Sequence, residues 1–512
     1  MVASTNKRIA INTGMLYFRT FFTMGVSLYT SRVILNALGV EDFGIYNVVG
    51  GIVVMFSFLN YAMGASTSRF LIFELGKKDY KQLKKVFSAT LTGHILIAFV
   101  VFIFAETIGL WFLTHKLVIP EARISVTHLV YQLSIVSSLV SLTQVPYNAA
   151  IIAHERMNVY AYVTIVDVVL KLMVAYLLYI GNFDKLKIYA ILVFLVTLTI
   201  AMIYRIYCKK NYEECSYSFQ WDKALYKKLF SFSVWDSYGA LAVLGMGQGL
   251  NLLLNMFFGP TVNAARGIAY QVQTAISGFG NNFMLAVKPQ IIKLYAENNI
   301  AQMMKLVFAS SRYSFFLIYI LSLPLLLETP FVLELWLKIV PEHTVSFCRL
   351  ILINELIWSM RSPIVTSFHA VGQIKVANLV CGTLFYFIVI ASYFCLKMGF
   401  SPESVFIVTI VVSVMVQITE LFLLKRLIKY SVWAYTKQVV WLCLLVVIAS
   451  AIFPYMLSTM LAPGYLRFLV IGFTCVITVA ISVYSIGIDK ETRNIILQKL
   501  KLLYGRLING YV

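Results

Sequence analysis

Six arginines stand inside long apolar runs or at their ends: Arg19, Arg32, Arg69, Arg266, Arg312 and Arg361. A cation at the centre of a bilayer costs about 2.5–3.5 kcal/mol on insertion scales, so such a residue faces a wet cavity or a partner. Guanidinium keeps its proton, and its planar fork fits phosphate oxygens. The chemistry on offer is therefore capture of an anion. Arg19 and Arg312 lie deepest in their runs. Together with Arg266 they are expected to help line an anion-attracting cavity, and Arg32, Arg69 and Arg361 complete the substrate-binding candidates. The competing reading is that arginines near run ends, Arg32, Arg69 and Arg266, snorkel to headgroups or cap helix C-termini.

Acids are fewer. Asp167 and Lys171 are four residues apart, so they share a helical face and neutralise each other, as a structural pair or as a proton relay. Asp236 is the main candidate for coupling to an ion. Glu106, Glu355 and Glu420 are read either as proton or cation carriers or as interhelical hydrogen-bonding groups. The six histidines show no metal-ligand spacing. The seven cysteines are scattered, without a CxxC pair, and read as packing residues. Gly245-Met-Gly-Gln-Gly249 lacks the preceding strand and the Lys-Ser/Thr ending of a phosphate loop, so it reads as close helix packing.

The elements that carry these residues follow from composition. The chain has 512 residues, 60% hydrophobic and 12% charged, with a mean hydropathy of +0.83. That leaves too little polar surface to cover a water-facing globule, so lipid is the solvent. In lipid only helices and closed barrels satisfy their own backbone. A barrel would alternate in short segments, whereas this chain has continuous apolar runs such as 95–105 and 188–201. The expected fold is all-α, with about fourteen membrane spans. The first run continues too far, and carries too many arginines, to be a cleaved signal. The short loops on the side of the N-terminus and the tail hold 24 Lys and Arg, against seven on the other side. That asymmetry puts both ends in the cytoplasm. It also accounts for the net charge of +20 through topology and anionic lipid rather than nucleic acid. No loop is long enough for a soluble domain, which argues against a polytopic enzyme with a large catalytic loop.

An internal repeat divides the chain. Residues 65–87 align without gaps on 286–308, and both end in Lys-x-Val-Phe (Lys84–Phe87 and Lys305–Phe308). Gly39 to Tyr46 parallels Gly259 to Tyr270. Pro146 with the turn at 154–158 parallels Pro363 with 371–375. Six spans separate the copies, so the repeat is parallel, and the organisation follows: an N-lobe of six spans at 1–208, a cytoplasmic linker at 209–225, a C-lobe of six spans at 226–430, two further spans at 431–488 and an amphipathic cytoplasmic tail at 489–512. Transporters place substrate between two such halves near the midplane.

The segment from Arg32 to Tyr46 carries Leu38, Gly39, Asp42, Phe43, Gly44 and Tyr46 in a Leu-Gly-x-x-Asp-Phe-Gly-x-Tyr pattern. It resembles polysaccharide exporters of the Wzx type, within the MATE-like multidrug/oligosaccharidyl-lipid/polysaccharide superfamily. The resemblance extends through Arg69, the lysine-rich loop at Lys77–Lys85 and Asn263 to Gly267. It implies two pseudo-symmetric six-helix lobes with two added C-terminal helices. The function it implies is flipping of undecaprenyl-pyrophosphate-linked oligosaccharides, for O-antigen, capsule or exopolysaccharide, across a bacterial inner membrane. No bound cofactor is expected beyond a coupling H+ or Na+. Expected partners are lipid-linked oligosaccharide, membrane lipids and polysaccharide polymerase machinery, with the protein itself a monomer. The alternative is a cation-coupled drug or metabolite antiporter on the same fold. A cation carrier wants carboxylates in its first span. None stands between Ile9 and Val40, where two arginines do.

Overall fold

The computed structural model describes residues 2–55, 58–115, 119–180, 183–219, 221–337, 340–489 and 493–494. Almost all of them are helical, and there is no strand among them. The order is α1 (Val2–Met55), α2 (Phe58–Lys77), α3 (Tyr80–Phe104), α4 (Leu110–His115), α5 (Ile124–Ala153), α6 (Met157–Leu177) and α7 (Lys185–Asn211). Then come α8 (Lys223–Ala296), α9 (Ile300–Leu337), α10 (Thr344–Val371), α11 (Lys375–Lys397), α12 (Ser404–Leu427), α13 (Val432–Tyr435), α14 (Trp441–Met460) and α15 (Tyr465–Ser482). Three π-helical turns join neighbouring pieces without ending the rod: Ala105–Gly109 links α3 to α4, Thr436–Val440 links α13 to α14, and Val483–Gly487 extends α15. The Ala105 carbonyl accepts the wider-turn bond from the Leu110 N–H and a second from the buried Tyr131 hydroxyl at 2.6 Å.

α1 and α8 are each broken at one glycine. Gly39 has φ 80° and ψ 168°, and Gly259 has φ 79° and ψ −170°. That region of backbone space is essentially open to glycine alone. Counting the two breaks, and taking α3–α4 and α13–α14 as one rod each, fifteen helical stretches result among the described residues, against about fourteen spans read from hydropathy. Ten of them are long and apolar enough to cross a membrane. Large apolar side chains such as Leu466, Leu469 and Phe473 lie outward on α15, each at least 66% exposed. Surfaces of that kind are stable only against lipid.

The repeat is written in the backbone. Gly39 and Gly259 share a conformation, as do Lys78 (φ 60°) and Asn298 (φ 59°) after the next helices. Glu155 (φ 60°) and Gly372 (φ 82°) are both left-handed residues following α5 and α10. Each of those two helices contains the matching proline, Pro146 or Pro363. Side-chain clamps repeat too. Arg123, before α5, donates to Asp184, before α7, at 2.8 Å. His343, before α10, meets Glu403, before α12, at 2.6 Å. Arg123 also binds the buried carboxylate of Asp42 at 3.0 Å, which explains why the motif after Gly39 carries an acid.

The described chain forms two compact units. The first comprises Met1–Leu241, Leu285–Met303 and Phe368–Gly382; the second comprises Ala242–Met284, Met304–Ser367 and Thr383–Val512. In the first, α1 packs on α5, α6 and α7, and α2 on α3 and α5. The linker after α7 is docked there, because His154 bonds Glu214 at 2.6 Å and stacks on Tyr212 at 4.0 Å. In the second, α14 packs on α15, and polar ties join both to α9. Tyr319 reaches Ser450 at 3.2 Å, and Arg467 pairs with the buried Glu328 at 2.8 Å. Apart from Asp489, Arg493 and Asn494, the tail expected to be amphipathic lies outside the described residues.

Candidate functional site

In the second unit, Arg266 sits on the part of α8 after the Gly259 break and is 9% exposed. Its guanidinium donates to the Asn251 side-chain oxygen at 3.1 Å and to the Gly247 carbonyl at 2.6 Å. It lies 4.2 Å from the ring centre of Tyr270, one turn on. Its Nε is buried without a partner. No described carboxylate forms an ion pair with it. A dry guanidinium held only by neutral groups keeps its attraction for an anion. One further turn along, Gln273 donates to the buried carboxylate of Glu355 on α10 at 2.8 Å.

Two other candidates in this unit are already paired. Arg361 forks onto Glu420, with Nε to Oε2 at 2.9 Å and a terminal nitrogen to Oε1 at 2.6 Å, over the rings of Trp358 and Phe385. Arg312 is 3% exposed and reaches the added spans. It donates to the Gln438 carbonyl at 3.1 Å and to Asp489 at 2.8 Å. The fold thus uses both as braces between helices, and neither shares a contact with Arg266.

In the first unit, Arg19 is half-buried on α1, 5.1 Å from the ring centre of Tyr160 on α6. The same α6 face carries Asp167 and Lys171, paired at 2.8 Å as their spacing implied. Tyr204 of α7 bonds Thr164 and lies within electrostatic reach of Arg19 and Asp167. Arg69 is 7% exposed at the end of α2. Its Nε donates to the His369 carbonyl at 2.9 Å and a terminal nitrogen to the Ala370 carbonyl at 3.3 Å. It therefore caps the C-terminus of α10, the alternative raised for arginines near run ends. A Cβ at Gly372 would collide with that guanidinium, so glycine is needed there for space as well as for φ. The Arg32 side chain lies outside the described residues.

Asp236 is 8% exposed, and its carboxylate lies 3.1 Å from His369 Nε2. Lys288, on the later part of α8, is within electrostatic reach of it. Nearby, Glu155 accepts from both Gln290 and Lys293. Lys288 and His369 were not singled out in the sequence. The signal for Lys288 was a lone cation beside Pro289 in an apolar run. His369 carried none, because its partner is 133 residues away.

No protein-family model matches this chain, and no curated protein does. Solved structures do. A MATE protein in a bent conformation superposes with a TM-score of 0.69 at 13% identity, over 82% of this chain and 95% of that one. The chain has the MATE transporter fold. An outward-facing multidrug resistance MATE transporter of the MOP superfamily matches at 0.67 and 13%, again over 82% and 95%. A MOP superfamily transporter from Pyrococcus furiosus, described as having a binding pocket of reversed polarity that suggests a different function, matches at 0.66 and 13%, over the same shares.

Proposed function

We propose that this protein is a transporter that flips an anionic glycolipid, an oligosaccharide linked through pyrophosphate to a polyprenyl tail, from the inner to the outer leaflet of a bacterial inner membrane. It is not an enzyme, and both of its termini are cytoplasmic. Transport proceeds by alternating access, with the tail remaining in the bilayer. The carrying observation is Arg266. A carrier of cations gains nothing from a buried guanidinium without a carboxylate, whereas a pyrophosphate supplies the missing counter-charge. Arg19 adds positive charge in the first half. The fold tolerates such a change of cargo, since one of its structural neighbours is itself described as having reversed pocket polarity. Asp236 with His369 and Lys288 is the candidate site for a coupling proton or Na+.

A second reading, a cation-coupled drug or metabolite antiporter, is favoured by Glu355. This buried acid's described hydrogen bond is to the neutral Gln273, the kind of acid a cationic cargo would use. Gene deletion separates the two. Under the first reading, lipid-linked glycans accumulate in the inner leaflet, and Arg266→Ala expressed at normal level fails to restore export. Unchanged glycans together with new drug sensitivity would overturn it in favour of the second.

A further inference from the structure

After its break, α8 carries polar groups in a regular stripe. Gly267, Gln271, Thr274 and Asn281 are exposed, and Gly278 is half-exposed. Their spacings of four, three, four and three put them on one face. The Thr274 hydroxyl donates to the Tyr270 carbonyl at 2.8 Å, but the side-chain amides of Gln271 and Asn281, open along a span, do not face acyl chains, where unmet hydrogen bonds would cost several kcal/mol each. They face water. The stripe runs from Gly267 to Asn281, about 21 Å of helix, and the two glycines leave its backbone open: a Cβ at either would meet no described atom within 4 Å. Beside the stripe, on the adjoining ridge, stand Arg266, Tyr270 and Gln273, the last already bonded to Glu355.

The cation of this surface stands at one end. Arg266 marks the start, next to the break, and neutral donors and acceptors follow with one carboxylate. An anionic group with a long, neutral, hydroxyl-rich extension has that same order. We infer that this face of α8 is a carbohydrate-binding surface: Arg266 takes the pyrophosphate, Gln271, Gln273 and Glu355 take hydroxyls of the first sugar, and Thr274 and Asn281 take sugars beyond it. This rests on the glycolipid reading and adds that the protein reads the sugar as well as the charge. Glu355 then serves as a hydroxyl acceptor, as carboxylates and amides together commonly do toward polyols.

The test uses the full-length protein in detergent and two probes, a short-chain isoprenyl pyrophosphate and the same compound bearing one hexose. The hexose is expected to tighten binding at least tenfold. Glu355→Gln, Gln273→Ala and the exposed Gln271→Ala should each remove most of that increment and leave binding of the sugar-free probe unchanged. Arg266→Ala should weaken both probes together. A hexose that adds nothing, or variants that weaken both probes equally, overturns the carbohydrate surface alone. Wild-type protein that binds neither probe, or Arg266→Ala that binds both normally, overturns the anionic-cargo reading instead. Gln271→Ala, at an exposed position, keeps the test decisive if the buried variants fold poorly.

Discussion

Removing either member of the Arg361–Glu420 pair should cost more than removing both. The two hydrogen bonds join a guanidinium to a carboxylate that is 3% exposed, with the arginine side chain at 15%. In an apolar medium each such bond is worth several kcal/mol, but exchange with water and desolvation of both charges offset most of that sum. Stranding one buried charge is what costs: about 3–5 kcal/mol when its partner is removed. Replacing both partners by apolar groups of similar volume is often neutral or mildly stabilising. We therefore expect Arg361→Met and Glu420→Met each to lose about 3–5 kcal/mol, seen as lower melting temperature in detergent and lower amounts in the membrane. The double variant should return close to wild type in both. Export measured alongside decides what Arg361 does. If it is a brace, the double variant exports. A double variant as stable as wild type but unable to export would refute this reasoning and return Arg361 to the cargo. So would single variants that lose no stability.

Further outcomes follow from other contacts. Gly39→Ala and Gly259→Ala should each destabilise by about 1–3 kcal/mol through backbone strain alone, since no described atom lies within 4 Å of the new Cβ. Asn in either place should be no better, because it favours the left-handed helical region rather than this one; a tolerant Asn variant in a thermal melt would contradict the assignment. Gly372→Ala should be worse than either, because it also displaces Arg69 from the end of α10, and the extra loss should vanish in an Arg69→Ala background. At Glu403, burial pushes the carboxyl up, but hydrogen bonds from His343, Ser346 and neighbouring groups outweigh it and hold the group below the usual carboxylate range. Its contribution is thus complete above the ordinary glutamate pKa and lost as pH falls through the depressed value. Melting curves of wild type and Glu403→Gln should differ at neutral pH and converge in acid; a constant gap would rule the clamp out as a pH-dependent element. The Arg123 clamp in the first half pairs a permanent cation with Asp184. Arg123→Gln should therefore destabilise by more than the roughly 1 kcal/mol of an exposed pair, because it also takes the cation from the buried Asp42 carboxylate; a thermal melt unchanged from wild type would contradict this.

Hydropathy alone settles that this is a bundle of about fourteen helices, because a chain this apolar has no other way to satisfy its backbone in lipid. The repeat was legible for a similar reason. Gly39 and Gly259 occupy a conformation closed to other residues, so the backbone leaves its mark on composition. The i, i+4 pair of Asp167 and Lys171 was legible because helix geometry fixes it locally. What the six arginines do was not, because a guanidinium's role depends on what stands opposite. Arg69 meets the end of a helix 300 residues on, Arg312 meets the added spans, and Arg361 meets Glu420. Arg266 meets a side-chain amide and a carbonyl within its own helix. Charge in a membrane is decided by its partners, and partners distant in the chain are chosen only when the helices pack.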